Sequence, residues 1–192
     1  MKKLILGLVI CLMMAGVANA GIYTYLPSPV DLYDLDHYKY YKWGVSWTHT
    51  NEYIVGATLK FRNMYDWIHE DGDSLYVHLL DNPPVGVTTY TDNQGGGDNF
   101  AGTPWVGTWT DLFGDPSHKQ TVIYDLGALG LLPTFRTYAA DGVIGFGIDP
   151  DCHYFNDKVE LKIFTETVPE PATMTLLGLG LLGAGLFSRR KK

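Results

Sequence analysis

The chain alternates apolar and polar residues over several short stretches. In Ala57-Thr58-Leu59-Lys60-Phe61-Arg62 every second side chain is apolar, and residues 159–163 repeat the pattern. A period of two is typical of a β-strand that buries one face and exposes the other. The spacing of these strands along the chain is typical of a β-sandwich. Similar runs occur at Tyr40 to Thr48, Ser74 to Leu80, Trp105 to Thr110, Thr121 to Leu126 and Val143 to Ile148.

The segments between these runs are rich in turn-forming residues. They include Asp81-Asn82-Pro83-Pro84, Gly114-Asp115-Pro116-Ser117 and residues 92–99, which contain three consecutive glycines. Such residues favour turns over helices. One short helix candidate runs from Leu126 to Leu132, and Pro133 is expected to end it. The sequence therefore predicts an all-β fold, a single antiparallel β-sandwich of jelly-roll type.

The first 20 residues form a separate segment. Lys2 and Lys3 precede an apolar run from Leu4 to Met14, and the small triplet Ala18-Asn19-Ala20 follows. This order predicts a secretory signal peptide that the Sec machinery reads and that is cleaved after Ala20. We therefore divide the chain into a signal peptide (1–20), an ectodomain (21–168) and a C-terminal segment (169–192).

The C-terminal segment has the composition of a membrane anchor. Pro171 is acceptable as the first residue of a helix, and the residues that follow it up to Phe187 are mostly apolar. A helix of this length spans roughly 24 Å, slightly less than the ~30 Å hydrocarbon core of a bilayer. The basic residues 189–192 are expected to stay cytoplasmic. The sequence thus predicts a transmembrane helix within residues 171–188 that anchors the precursor in the inner membrane, with the ectodomain outside.

The order Val168-Pro169-Glu170-Pro171, apolar helix and basic cluster resembles the PEP-CTERM sorting signal of Gram-negative bacteria. The resemblance implies recognition by an exosortase, a membrane cysteine protease-transpeptidase that removes or transfers the tail. The exosortase would recognise Pro169, Glu170 and Pro171, and Arg189 and Arg190 would belong to the terminal basic cluster. It also implies a protein of the cell surface or of an exopolysaccharide-containing biofilm matrix.

Parts of the ectodomain resemble a recurring subset of secreted PEP-CTERM proteins. The segments that carry this second resemblance are residues 34–44, 92–100 and 146–154. The resemblance implies no catalytic residues. The function of the ectodomain must therefore be argued from its own side chains.

The ectodomain is strongly acidic. Within residues 21–168, eight of the 14 Lys and Arg accompany 20 of the 21 Asp and Glu, a formal charge of −12. Nucleic acid is excluded as a partner, since its binding requires Lys and Arg to neutralise phosphates. Clustered carboxylates on turns can bind Ca²⁺. We keep open a Ca²⁺ site at Asp71 and Asp73 or at Asp149 and Asp151, although Asx turns explain the same residues.

No recognisable catalytic motif is present. The serines lack a G-x-S-x-G elbow, and the histidines lack the close spacing of a zinc site. Cys152 is the cysteine that remains after signal cleavage, so it cannot form an intramolecular disulfide. It is expected to behave as a buried thiol, while pairing between chains or metal ligation stays open.

Aromatic residues are abundant and offer a possible sugar-binding surface. Trp43, Trp105 and Trp109 could stack on sugar rings if their faces are exposed, or fill the core if they are not. We expect a non-enzymatic surface or matrix protein with a structural or carbohydrate-binding role. The alternative is a secreted glycosidase-like hydrolase that uses two carboxylates, with Ca²⁺ stabilising its loops.

Overall fold

A computed structural model describes residues 20–66, 73–92 and 97–168, together with residues 178, 180 and 181. Between residues 20 and 168 the described chain forms nine β-strands, a 3-10 turn (Tyr33–Leu35) and one α-helix, α1 (Leu132–Ala140), which lies between β7 and β8. The strands are β1 (Ala20–Tyr25), β2 (Lys39–Ser46), β3 (Glu52–Met64), β4 (Leu75–Asp81), β5 (Gly86–Thr91), β6 (Trp105–Trp109), β7 (Gln120–Asp125), β8 (Val143–Pro150) and β9 (Lys158–Thr167).

The strands form two antiparallel sheets. The four-stranded sheet has the order β1-β9-β3-β7, and the five-stranded sheet has the order β5-β2-β8-β4-β6. The chain changes sheet at every connection from β1 to β4 and again from β6 to β9. As a result, residues that are far apart in sequence meet at the two ends of the strands.

Strand register shows which connections share an end. Arg62 pairs with Lys158, Leu75 pairs with both Pro150 and Trp109, and Met64 pairs with Gln120. The β3–β4, β6–β7 and β8–β9 connections therefore converge at one end of the strands. At the opposite end Glu52 pairs with Thr167, and this end carries the β2–β3 turn, α1 and the finish of β9.

The core lies between side chains that both sheets contribute. Leu59 and Phe61 of β3 and Leu75 and Val77 of β4 are completely buried and belong to one continuous hydrophobic cluster. These positions fall on alternate residues of their strands, as the period-two pattern requires. Helix α1 covers one end of the cluster, because its Phe135 and Ala139 are buried in it. Stability thus comes from packing, since the described cysteine is a free thiol.

All seven strands predicted from alternation are present, but two strands and the helix were not anticipated. No side chain of β1 or β5 is fully buried, and in β1 the apolar Ile22 lies on the exposed face and is 65% exposed. The helix predicted over 126–132 is wrong, because α1 begins at Leu132 and Pro133 lies in its first turn. A proline there forfeits no helical hydrogen bond, so Pro133 starts the helix that it was expected to end.

The predicted signal peptide and C-terminal segment lie almost entirely outside the described residues. Strand β1 begins at Ala20, where cleavage is predicted, and the described body ends at Val168. Among the residues that the structure describes, no helix combines the length and apolar character needed to cross a bilayer.

Candidate functional site

A groove lies at the end of the strands where the β2–β3 turn meets α1. Its volume is about 380 Å³, and it is lined by Trp47, His49, Thr50, Glu52, Tyr53, Ile54, Arg136, Ala139, Ala140 and Gly142. The Trp47 N–H donates to the Gly142 carbonyl over 2.8 Å, which holds the turn against the end of the helix. The volume falls within the range of about 300–1,000 Å³ typical of small-molecule sites.

One wall of the groove is a cluster of aromatic rings. Trp47 and His49 have ring centroids 4.9 Å apart, and Tyr23 of β1 lies 3.8 Å from His49 and 5.5 Å from Trp47. Trp47 is only 6% exposed, so its ring packs beneath the surface of the groove and does not present its face to a ligand. Contacts of this kind hold aromatic rings in fixed orientations.

Glu52 is the acidic side chain among the described residues that line the groove. It accepts a hydrogen bond from Thr165 Oγ1 and a second from the Tyr23 hydroxyl, over 2.5 Å. These two hydrogen bonds lower the pKa of Glu52, and the same carboxylate raises the pKa of the Tyr23 phenol. Because the bonds favour the charged form, Glu52 is a fixed anion in the groove.

Arg136 and Tyr53 pack against each other in the lining of the groove. The Arg136 guanidinium carbon lies 4.3 Å from the Tyr53 ring centroid, and its Nε donates to the Ile54 carbonyl over 2.6 Å. Tyr53 is 50% exposed. The stacking and the bond from Nε fix the orientation of the guanidinium.

The three tryptophans predicted to bind sugar do not form a common surface. Trp43 and Trp109 are only 2% and 8% exposed and belong to the core cluster, so their ring faces are covered by protein. Trp105 is 58% exposed, and its Nε1 donates to Thr108 Oγ1 over 3.3 Å. Trp43 and Trp109 are therefore core residues, because they occupy inward-facing positions of β2 and β6.

The four acidic residues predicted to bind Ca²⁺ are distributed over different environments. Asp71 lies outside the described residues, and Asp73 is almost fully buried before β4. Asp149 is buried in β8 and accepts from the Asn99 backbone N–H over 2.7 Å. Asp151 is half-buried, and its backbone N–H donates to the Ser74 carbonyl over 2.8 Å.

The loop between β5 and β6 covers Asp149. Asn99 contacts the carboxylate through both its backbone and its side-chain nitrogen, and the Asp98 carboxylate lies 2.8 Å from His78 Nε2. Burial raises the pKa of Asp149 to about 6; the nearby Asp92 and Asp151 add to the rise, and the bonds from Asn99 partly oppose it. Asp149 therefore anchors a loop and is shielded from solvent.

Asp73 instead meets two residues from other segments at the far end of the strands. The carboxylates of Asp66 and Asp73 and the thiol of Cys152 approach one another, and we call these three residues the carboxylate–thiol cluster. The Cys152 thiol donates to Asp66 Oδ2 over 3.0 Å. Burial, together with Asp66, raises the pKa of the thiol to about 12, which makes Cys152 a poor nucleophile in this state.

Comparison with known proteins identifies the C-terminal segment. The model of the PEP-CTERM protein-sorting motif matches residues 167–191, a range that includes Pro169, Glu170, Pro171, Arg189 and Arg190. No curated protein and no solved structure matches the chain significantly.

The motif indicates how the precursor is sorted and processed. It implies a secreted protein that an exosortase processes and whose precursor is anchored to a membrane at its C-terminal end. The resemblance to the PEP-CTERM sorting signal is thus confirmed, and exosortase is the implied processing partner.

Proposed function

We propose that the protein is a non-enzymatic carbohydrate-binding component of the bacterial cell surface or extracellular matrix. In this proposal the Sec machinery exports the chain, signal peptidase removes residues 1–20, and a helix within residues 171–188 holds the precursor in the inner membrane of a Gram-negative cell. Exosortase then releases or transfers the body into an exopolysaccharide or biofilm matrix.

The strand order supports a jelly-roll sandwich as the body of this protein. Strands β1-β9-β3-β7 and β2-β8-β4-β6 follow the order of the two four-stranded sheets of a jelly roll, and β5 is an additional edge strand beside β2. Jelly rolls occur in lectin domains among others, so the fold is compatible with sugar binding without requiring it.

The groove is the observation that carries the carbohydrate-binding proposal. The half-exposed Tyr53 ring offers an apolar face to the C–H groups of a sugar, while Arg136, His49 and Glu52 offer donors and acceptors to its hydroxyl groups. Stacking on Arg136 and the bonds to Glu52 fix these groups before a ligand arrives. Such preorganisation reduces the entropy lost on binding.

The charge of the body favours a neutral polysaccharide as the ligand. A formal charge of −12 within residues 21–168 repels uronate-rich or phosphorylated polymers. A neutral hexose polymer carries no such penalty. It also provides the hydroxyl groups that a fixed carboxylate and a guanidinium can bind.

The groove is less suited to the alternative, glycoside hydrolysis. That reaction requires two carboxylates on either side of the scissile bond, one of them with a raised pKa. Among the described residues that line the groove, the acidic side chain is Glu52. Its pKa is lowered, so it is a poor general acid. These features support binding without catalysis.

Retention on immobilised neutral polysaccharide tests the groove directly. Tyr53→Ala and Arg136→Ala are expected to weaken retention of the protein recovered from the medium by about tenfold or more, corresponding to about 1.4 kcal/mol. Tyr38→Ala is a matched control, because Tyr38 is 49% exposed and lies outside the groove. Equal retention of the Tyr53 and Tyr38 variants, or no retention of the wild type, would contradict the proposal.

The sorting proposal has an independent test. Replacement of Pro169, Glu170 and Pro171 by alanine is expected to leave unprocessed protein in the membrane fraction, because the exosortase no longer recognises the tail. Alanine replacements at Thr173 and Thr175, in the same segment, serve as the control. Normal release of the triple variant would reject this part of the proposal and leave the groove proposal untouched.

A further inference from the structure

The carboxylate–thiol cluster is assembled from three separate segments of the chain. Asp66 follows the end of β3, Asp73 precedes β4, and Cys152 follows β8. Reciprocal backbone hydrogen bonds of 3.0 and 3.1 Å join Tyr65 to Phe155, and the Asp151 N–H donates to the Ser74 carbonyl. The backbone thus brings all three side chains together at the end of the strands opposite the groove.

The geometry of the cluster is compatible with a metal ion. One ligand atom from each of Asp66, Asp73 and Cys152 lies within 4.8 Å of the others, and Cys152 Sγ lies 3.0 Å from Asp66 Oδ2. Asp66 and Asp73 are only 4% and 6% exposed. Two carboxylates held this close in a buried site repel each other, and a divalent cation between them would convert the repulsion into attraction.

Tyr154 provides a second, independent indication of a ligand. Its side chain is completely buried, and its hydroxyl has no hydrogen-bond partner among the described residues. Tyr154 follows Cys152 by two residues, and its phenol interacts electrostatically with Asp73, Cys152 and Asp66, so it lies within electrostatic range of the cluster. Buried hydroxyl groups are normally hydrogen-bonded, so an unpaired one next to possible metal ligands indicates a missing partner.

We propose that Asp66, Asp73 and Cys152 bind one Zn²⁺ ion, with a water molecule in the fourth position that pairs with the Tyr154 hydroxyl. Zinc accepts sulfur and carboxylate oxygen together in a tetrahedral set, and three protein ligands with one water are a common arrangement. Calcium takes six to eight oxygen ligands and does not use thiolate, so the cysteine argues against it. On binding, the thiol proton is released to solvent and the thiolate bonds to the metal.

Asp111 holds the backbone of one proposed ligand, Asp66, in position. It is completely buried, and its Oδ2 accepts from the Asp66 backbone N–H over 2.8 Å. Its other oxygen accepts from the Phe113 N–H over 2.9 Å. Asp111 thus fixes the backbone that carries one ligand, and its removal is expected to weaken metal binding without removing a ligand.

Metal binding to the full chain in detergent tests the proposal. After treatment with chelator and titration with Zn²⁺, the wild type is expected to retain one zinc per chain through desalting. Loading with Co²⁺ is expected to produce a thiolate-to-cobalt charge-transfer band, which reports sulfur ligation directly. Cys152→Ser should abolish the band, and Asp73→Asn should weaken binding by more than the roughly 10- to 100-fold expected for Asp111→Asn.

Asp149→Asn is the matched control, because Asp149 is a buried carboxylate outside the cluster. It should bind Zn²⁺ like the wild type, and circular dichroism establishes that each variant is folded. The proposal is overturned if the wild type retains no more zinc than Cys152→Ser, if Co²⁺ gives no charge-transfer band, or if Ca²⁺ binds in place of zinc.

Discussion

Gly147 of β8 lies directly beneath the aromatic ring of Phe100, which the β5–β6 loop places over the outer face of the five-stranded sheet. A Cβ atom at position 147 would lie 2.6 Å from the ring, closer than such atoms approach in proteins. Phe100 is only 4% exposed, and the neighbouring Asn99 is bonded to Asp149. The ring and the glycine therefore fix the part of this loop around Phe100.

Gly147→Ala is expected to destabilise the protein by about 1–3 kcal/mol, because the added methyl group must displace the ring or bend β8. Urea unfolding measures the change. Gly56→Ala is the control, because a Cβ atom there would lie 3.4 Å from the Phe164 ring, an ordinary contact. A Gly147 variant as stable as the Gly56 variant would show that Phe100 does not constrain the strand.

Glu52→Gln is expected to reduce the loss of stability on acidification. Hydrogen bonds lower the pKa of Glu52 below its usual 4.5, so its ionised form stabilises the fold above that pH. The contribution is lost as the pH falls through the folded-state pKa. Wild type should therefore lose more stability than the variant between about pH 5 and pH 3.

Urea unfolding at a series of pH values detects this difference. Glu166→Gln, on the exposed face of β9, changes the net charge by the same amount and serves as control. Parallel pH profiles for the wild type and the Glu52 variant would contradict the role assigned to the bonds from Tyr23 and Thr165.

Asp149→Asn is expected to show the opposite dependence on pH. Burial raises the pKa of Asp149 from 3.8 to about 6 in the folded state, so the fold binds its proton more tightly than the unfolded chain does. Wild-type stability should therefore fall, relative to the variant, as the pH rises from about 4 to about 6 and stay level above. The difference should amount to about 3 kcal/mol at most, at 1.36 kcal/mol per pKa unit.

The variant keeps an oxygen that can accept from the Asn99 N–H, so the loop should remain in place. Unfolding measured at pH 4, 5, 6 and 7 in both proteins gives the profile. A difference in stability that does not change across this range would show that Asp149 titrates normally in the folded protein.

Cys152 is expected to react slowly with iodoacetamide in the metal-free folded protein. A pKa of about 12 leaves only about one thiol in 10,000 ionised at pH 8, and the thiolate is the reactive form. Asp66→Asn should accelerate labelling, because it removes the charge that opposes ionisation. Peptide mass mapping after timed labelling, with the urea-unfolded chain as reference, measures the rate. Equal rates in folded and unfolded protein would rule out a protected thiol.

Much of the sheet structure could be predicted from local pattern, because strands such as β3 and β9 bury one face. Leu59 and Phe61 alternate with Lys60 and Arg62, and the structure places them on opposite sides of the sheet. Strand β5 escaped prediction because it is an edge strand whose residues are half-exposed on both faces. Helix α1 was not predicted correctly, because a proline can either start or end a helix and only packing decides which.

The sites were less predictable, because each combines distant segments. Arg136 bonds to the carbonyl of Ile54, and Cys152 bonds to Asp66, pairs that are 82 and 86 residues apart. No local spacing relates such residues, so the sequence could indicate acidic and aromatic side chains without indicating which of them meet. The sequence suggested Asp73 as a Ca²⁺ ligand together with Asp71 of the same turn, whereas the structure places it beside Asp66 and Cys152. The tryptophans proposed from the sequence to bind sugar, Trp43, Trp105 and Trp109, do not line the groove.

The central claim, that the chain is an exported precursor trimmed at both ends, is tested most directly by intact mass spectrometry of the protein recovered from the culture medium and the cell surface. The mass is expected to correspond to a chain that begins at Gly21 and lacks the basic residues 189–192, with any attached glycan or lipid seen as added mass. A protein of full length, with Met1 and Lys192 both present and found in the cytosol, would contradict the account.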